Sequence, residues 1–199
     1  MSSDDKFELT DEKIASALEP IRYEISQLIY AYLYLRTTQN KEVVTRNALN
    51  ETRLNNRVIS NMLLESALIH ARILIEFFKP TKKRYRDNII PDDYGFSSTE
   101  VDLDDEIVKR LHKDLSHLSY ARVNRTNDTK GWDLRNILLS IIPRCLEFTH
   151  HVIKNKPRFA EQKELDYWPE MLFKLKEVYC DINKENQSNT DEYCNNTSR

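Results

Sequence analysis

Only two glycines, Gly95 and Gly131, occur in 199 residues. A sheet needs many tight turns, and the positive-φ positions of those turns are filled most easily by glycine. The scarcity therefore points to helices before any periodicity is considered. The length suits one domain with a sizeable core and is short for two.

The strongest pattern runs from Asn56 to Phe78, NRVISNMLLESALIHARILIEFF. Projected at 100° per residue, Leu63, Leu64, Ala67, Leu68, Ala71, Leu74, Ile75 and Phe78 fall in one wide arc. Met62, Ile69, Ile73 and Phe77 make a second apolar strip, which leaves a narrow polar seam of Glu65, Arg72 and Glu76. A helix of this kind is buried on two sides, either as the central member of a bundle or as a dimerisation face. In the seam, Arg72 and Glu76 have the spacing of an i, i+4 ion pair. His70, at the margin of the main arc, reads as a hydrogen-bonded core histidine.

Further helices follow from caps and stripes. Thr10 is a plausible N-cap, with Asp11 and Glu12 complementing the dipole in the first turn. Pro20 is expected to divide the helix that starts there, and Ile21, Ile25, Leu28, Ile29, Tyr32 and Leu35 then recur at helical spacing. KEVVTRNALNETRLNNR is polar and weakly periodic, and is read as another helix. Leu103, Ile107, Leu111, Leu115 and Leu118 form a stripe over LDDEIVKRLHKDLSHLSYARV. Asp133 caps DLRNILLSIIPRCLEFTHHVIKN, whose Pro143 falls on the polar side, and LDYWPEMLFKLKEVYCDI is a last helix. The expected fold is all-α: a bundle of five or six mostly antiparallel helices in one domain over 1–183. A long loop around 79–101 and a polar, disordered tail over 184–199 complete it.

A formal charge of −2 with 31% charged residues describes a soluble, nearly neutral surface, so any recruitment of nucleic acid has to be local. Cys145, Cys180 and Cys194 are odd in number and far apart, which fits reduced thiols in the cytoplasm better than a disulfide framework. No zinc spacing, no Gly-rich phosphate loop and no cofactor motif stands out. The acidic MSSDDKFELTDEK lacks the apolar core of a signal peptide, and no uninterrupted apolar run approaches the roughly 20 residues of a membrane span.

Chemistry concentrates in KRLHKDLSHLSYAR, Lys109 to Arg122. Arg110 and His117 lie seven apart, two helical turns, so both emerge from one face about 10 Å apart. An imidazole can move a proton near neutrality, and a guanidinium can stabilise developing charge on a phosphate. Such a pair could cleave RNA without metal, the ribose 2′-hydroxyl acting as nucleophile. The plainer reading is a solvated helix edge on which Arg110, Lys113 and His117 make ordinary surface contacts. Arg144 with His150 or His151 offers similar spacing, and the apolar LSHLS context favours the first pair. Arg72 would add a second cation if its seam faced His117. In the long loop, Lys82, Lys83 and Arg84, with Tyr85 to stack on a base, could bind RNA phosphate. Equally, they could complement the C-terminal dipole of the helix ending at Phe78.

Arg110, LHKDLS, then His117 on a late helix of a bundle resembles the HEPN family. That resemblance implies a homodimeric, metal-independent endoribonuclease of the defence or toxin type, acting on RNA and partnered by an antitoxin. It implies that Arg110 holds the scissile phosphate and His117 serves proton transfer or phosphate positioning, with Arg72 and Lys113 assisting. Leu111 stands where that family usually carries a polar residue. LLESALIHARILIEFF, LSHLSYAR and Trp132 are also similar to a bacterial family of uncharacterised helical proteins with L-L-x-H-A-R-x-L-I-x-F-F, H-L-x-H-L-T-x-x-R and a later Trp. Asp114 and Ser119 replace a His and the Thr of the second pattern. This likeness implies kinship and no activity. A non-catalytic interaction module, binding a partner through the Met62–Phe78 helix or the basic loop, is the alternative.

Overall fold

A computed structural model describes residues 8–38, 43–46, 51–54, 56–80, 87–97, 99–115, 131–156 and 160–184. His117, Lys82, Lys83, Arg84 and the expected tail past Lys184 lie outside these residues, Lys184 itself closing the last helix. The described helices are α1 (Asp11–Ser16), α2 (Leu18–Thr38), α3 (Asn56–Phe78), α4 (Asp105–Asp114), α5 (Leu134–Asn155), α6 (Gln162–Leu165) and α7 (Tyr167–Lys184). Five of them are ten residues or longer, and the fold is an all-α bundle with one small hairpin.

Local signals set most of the boundaries. The Thr10 hydroxyl accepts from the Lys13 backbone N–H at 3.3 Å, and Asp133 accepts from that of Asn136 at 3.0 Å. Asp104 does the same for Glu106 at 2.7 Å, opening α4. These caps satisfy backbone donors that have no partner inside the helix. Pro20 does not divide the first helix at its own position. The break falls at Ala17, and Pro20 sits in the first turn of α2, where a missing N–H costs nothing.

The segment read as a helix after α2 is instead an antiparallel pair, β1 (Val43–Arg46) and β2 (Glu51–Leu54), with Val44 opposite Arg53 and Thr45 opposite Thr52. Val43, Val44, Thr45 and Thr52 are β-branched, and that stiffness favours pleated backbone over helix. The described part of the connection after α3 holds local structure too. A 3-10 turn over Pro91–Tyr94 ends at Gly95, whose φ of +69° reverses the chain. This sets Tyr94 and Phe96 on either side of the reversal, both against Phe148.

Four helices make the core: α2 packs on α3, α3 on α5, α5 on α7, and α7 back on α2. Their directions follow from side-chain pairs. Glu24 meets His70, and Arg135 reaches the Ile182 carbonyl while Phe148 meets Trp168, so α2/α3 and α5/α7 are antiparallel hairpins. Arg22 covers Tyr167 and Lys174 covers Tyr30, so α2 and α7 run parallel. Fully buried Leu18, Ile25, Leu68, Phe78, Ile137, Phe148, Trp168 and Ile182 fill the centre. Each contributes roughly 1.5–3 kcal/mol by leaving water.

Among the described residues the long helix α3 is buried along one of its two apolar sides and, on the other, only at Phe77. Leu68, Ala71, Leu74 and Phe78 are enclosed, whereas Met62, Ile69 and Ile73 of the second strip face outward. Among the described residues α3 is long and apolar enough to cross a bilayer by length and composition. Its inner face is nevertheless committed to the bundle core.

Candidate functional site

The two ends of the bundle differ in kind. At one end, Phe77, Phe78, Tyr94, Phe96, Phe148 and Trp168 form an edge-to-face aromatic cluster with centroids 5.0–6.3 Å apart. At the other end lies a cleft of about 600 Å³ between α3, α4 and the start of α5, lined by Arg57, Asn61, Glu65, Arg110, Asp114 and Trp132 among others. Ligand sites are commonly concave, with a few convergent polar groups on an apolar wall. The cleft has that character.

Among the described residues, contacts to Trp132, Gly131 and Asp114 place Arg110. Its guanidinium lies 3.8 Å from the centroid of the Trp132 ring, Nη1 donates to the Gly131 carbonyl at 2.7 Å, and Nε is 3.4 Å from an Asp114 carboxylate oxygen. Asp114 is 8% exposed, so its charge is held largely out of water beside that cation. Spacing explains the pair, because residues four apart on α4 share a face. Trp132 comes from beyond the connection and closes the cleft just before Asp133 caps α5. A stacked, carboxylate-paired guanidinium keeps its planar orientation and would meet a phosphate with little loss of side-chain freedom.

Of the described candidates, Arg110 alone lines this cleft. Arg72 sits further along α3, where its Nε donates to Glu76 at 3.1 Å and Glu76 also pairs with His112 of α4 at 3.2 Å. The i, i+4 pair read from the seam is therefore present. Lys113 is exposed on α4. His70 has the expected hydrogen bond, its Nδ1 lying 2.6 Å from Glu24.

Arg144, the alternative motif arginine, belongs to the aromatic end. It lies over Phe96 and Phe78, pairs with Glu147 and donates to the Ser97 carbonyl at 3.1 Å. His151 takes its place there too, Nε2 lying 2.7 Å from the Tyr94 carbonyl. His150 is exposed, and slight burial together with Lys176 holds its pKa below the ordinary histidine value. Burial drives the Cys145 thiol far up, so this cysteine is packing material. Cys180 is disulfide-bonded, which corrects the expectation of three reduced thiols.

A second groove of about 530 Å³ runs between α1, α2 and α6, lined by Glu12, Glu19, Glu161, Glu164 and Arg22. Arg22 is held by Glu164 through two hydrogen bonds, at 2.7 and 3.2 Å, and its pKa is raised mainly by that bond. With Tyr167 stacked on it, the cation acts as a clamp between α2 and the start of α7. No group of three potential metal ligands occurs among the described residues.

The residues missed in the sequence are Arg57, Asn61, Asp114 and Trp132. Asp114 carried a signal, four positions after Arg110. Trp132 belonged to the pattern of the second resemblance but carried no signal for the cleft, because nothing local says that a ring 22 positions downstream will lie under the guanidinium. No family model matches this chain, and neither does any curated protein or solved structure.

Proposed function

We propose that the chain is a metal-independent endoribonuclease of HEPN-like type whose reaction takes place at the Arg110 cleft. The observation that carries this reading is that Arg110 opens onto a concave site with a second cation, Arg57, in its lining, rather than lying on a convex solvated face. In this reading Arg110 exchanges its Gly131 contact for the oxygens of the scissile phosphate. His117 takes the proton of the ribose 2′-hydroxyl or returns one to the leaving 5′-oxygen. The products are a 2′,3′-cyclic phosphate and a free 5′-hydroxyl, with no metal required. Trp132 and Asp114 position Arg110, and Lys113, with Lys82, Lys83 and Arg84, draws in the RNA backbone.

Cleavage of labelled total RNA in EDTA tests this. Wild type should cut, and Arg110→Ala and His117→Ala, once shown to be folded, should not. Wild type that cuts nothing across pH and substrates removes the reading. The non-catalytic alternative is favoured by the outward Met62, Ile69 and Ile73, a surface suited to a protein partner rather than to RNA.

A further inference from the structure

Glu65 is the odd member of the polar seam on α3. Arg72 and Glu76 pair with each other, whereas Glu65 has no ion pair or hydrogen bond among the described residues, although it shares the cleft of about 600 Å³ with Arg57 and Arg110. Asn61, one turn earlier in the same lining, also has no hydrogen bond among the described residues. Residues four apart share a helix face and lie roughly 6 Å apart along the axis. An uncommitted carboxylate and an uncommitted amide thus stand side by side in a cleft whose other carboxylate, Asp114, is engaged by Arg110. We infer that Glu65 and Asn61 form a guanine-recognition subsite, so that the cleft takes RNA with a guanine nucleotide beside the phosphate held by Arg110.

The donors and acceptors on the base edges select guanine. Its Watson–Crick edge presents two adjacent donors, N1–H and N2–H, with the O6 acceptor next to them. A carboxylate only accepts, and it can take both N–H groups in two parallel bonds. Adenine and cytosine each offer one donor beside a ring-nitrogen acceptor, and the single N–H of uracil lies between two carbonyl oxygens. Each would turn a lone pair toward Glu65. The Asn61 amide supplies the N–H that O6 requires. A site built to accept two N–H groups rejects a base that lacks one, because its own acceptor is then left without a donor.

The placement of charge agrees. RNA carries a negative phosphate at every step, which a carboxylate repels and a cation attracts. Arg57 and Arg110 serve the phosphate, and Glu65 is then left to the base. Leu64, Leu68 and half-buried Trp132 give the apolar and aromatic surface on which the faces of that base can rest. The volume lies within the roughly 300–1,000 Å³ usual for small-molecule sites. This subsite rests on the RNA reading of the cleft, yet base binding can be measured apart from cleavage.

Titration calorimetry on the full chain with guanosine, adenosine, cytidine and uridine 3′- and 5′-monophosphates reads the base. Mapping the cut ends of labelled RNA in EDTA reads the same preference in a polymer. Wild type should bind a guanosine monophosphate at least about 10-fold tighter than its counterparts and cut next to guanosine. Inosine monophosphate, which lacks the N2 amino group, should bind about 10-fold more weakly than guanosine. Glu65→Gln, at an exposed position, should abolish the preference for guanosine over both adenosine and inosine. Arg110→Ala should weaken all the nucleotides alike and keep that preference. A guanosine preference with this profile but no cut RNA would uphold the subsite, with a free guanine nucleotide as its ligand, and remove the nuclease. Cuts that are lost in Arg110→Ala but indifferent to base would uphold the nuclease and overturn the subsite. Equal affinity for all four bases, no binding at millimolar concentration, or a guanosine preference that survives Glu65→Gln would each overturn it as well.

Discussion

Arg110 and Arg144 are built almost alike, yet they sit in opposite surroundings. Each stacks on an aromatic ring, each donates to the backbone carbonyl beside such a ring, and each pairs with a carboxylate three or four residues ahead on its own helix. Arg144 closes over a packed aromatic cluster. Arg110 faces a cleft. The lesson is that an arginine so placed is first a way of pinning a loop to a helix, and its neighbours decide whether the cation faces a packed cluster or a cleft.

The two ends can be set against each other by mutation. The largest effect is expected from Phe148→Ala, which removes the ring that Phe77, Tyr94, Phe96 and Trp168 all touch. About 3–5 kcal/mol of stability should be lost in urea unfolding, against about 1–2 kcal/mol for half-exposed Trp132→Ala. Equal losses would mean that the cleft end is as firmly packed as the aromatic end.

Next comes the arginine pair itself. Arg110→Ala should lower RNA cleavage by about 10²–10³-fold with a small change in Tm. Arg144→Ala should leave cleavage unchanged while costing about 1–2 kcal/mol of stability. If both variants lose only stability, the two arginines are the same device and the cleft is not catalytic.

Gly95→Ala should cost about 1–2 kcal/mol, from backbone strain alone. An added Cβ there meets nothing within 4 Å, so calorimetry reads only the price of the positive φ.

The smallest effect is a pH dependence. The fold holds the His150 pKa down, so over the window just below the ordinary histidine range the unfolded chain binds more protons than the folded one. Stability due to this group is present at neutral pH and lost as pH falls. His150→Gln should flatten that decline slightly, as seen in Tm measured from pH 7.5 to 5.5.

Much of this architecture could be read from local chemistry. Thr10 and Asp133 cap where their side chains say they should, and the Asn56–Phe78 periodicity correctly gives one buried arc. What could not be read depends on partners distant in sequence. The second strip of α3 looks like core in one dimension, and only the arrangement of its neighbours shows that, among the described residues, Phe77 is covered while Met62, Ile69 and Ile73 face outward. The β1–β2 pair escaped because its polar stretch has weak periodicity of any kind, and β-branching at Val43, Val44 and Thr45 was the better guide. In the cleft, the Arg110–Asp114 pair is a matter of helical spacing. Trp132 arrives from beyond a long connection, which spacing cannot trace.

That connection also bears on how the chain finds its fold. The α2/α3 and α5/α7 hairpins are each local in sequence, but 55 residues separate Phe78 from Leu134. Bringing the hairpins together carries a chain-length term of roughly 3.6 kcal/mol in closure entropy, to be met before the inter-hairpin contacts return anything. Each hairpin should therefore form quickly, with docking of the two halves the slow step. Substitutions at the docking seam, such as Lys174→Ala opposite Tyr30, should then act mainly on the rate of unfolding and leave hairpin formation almost unaffected.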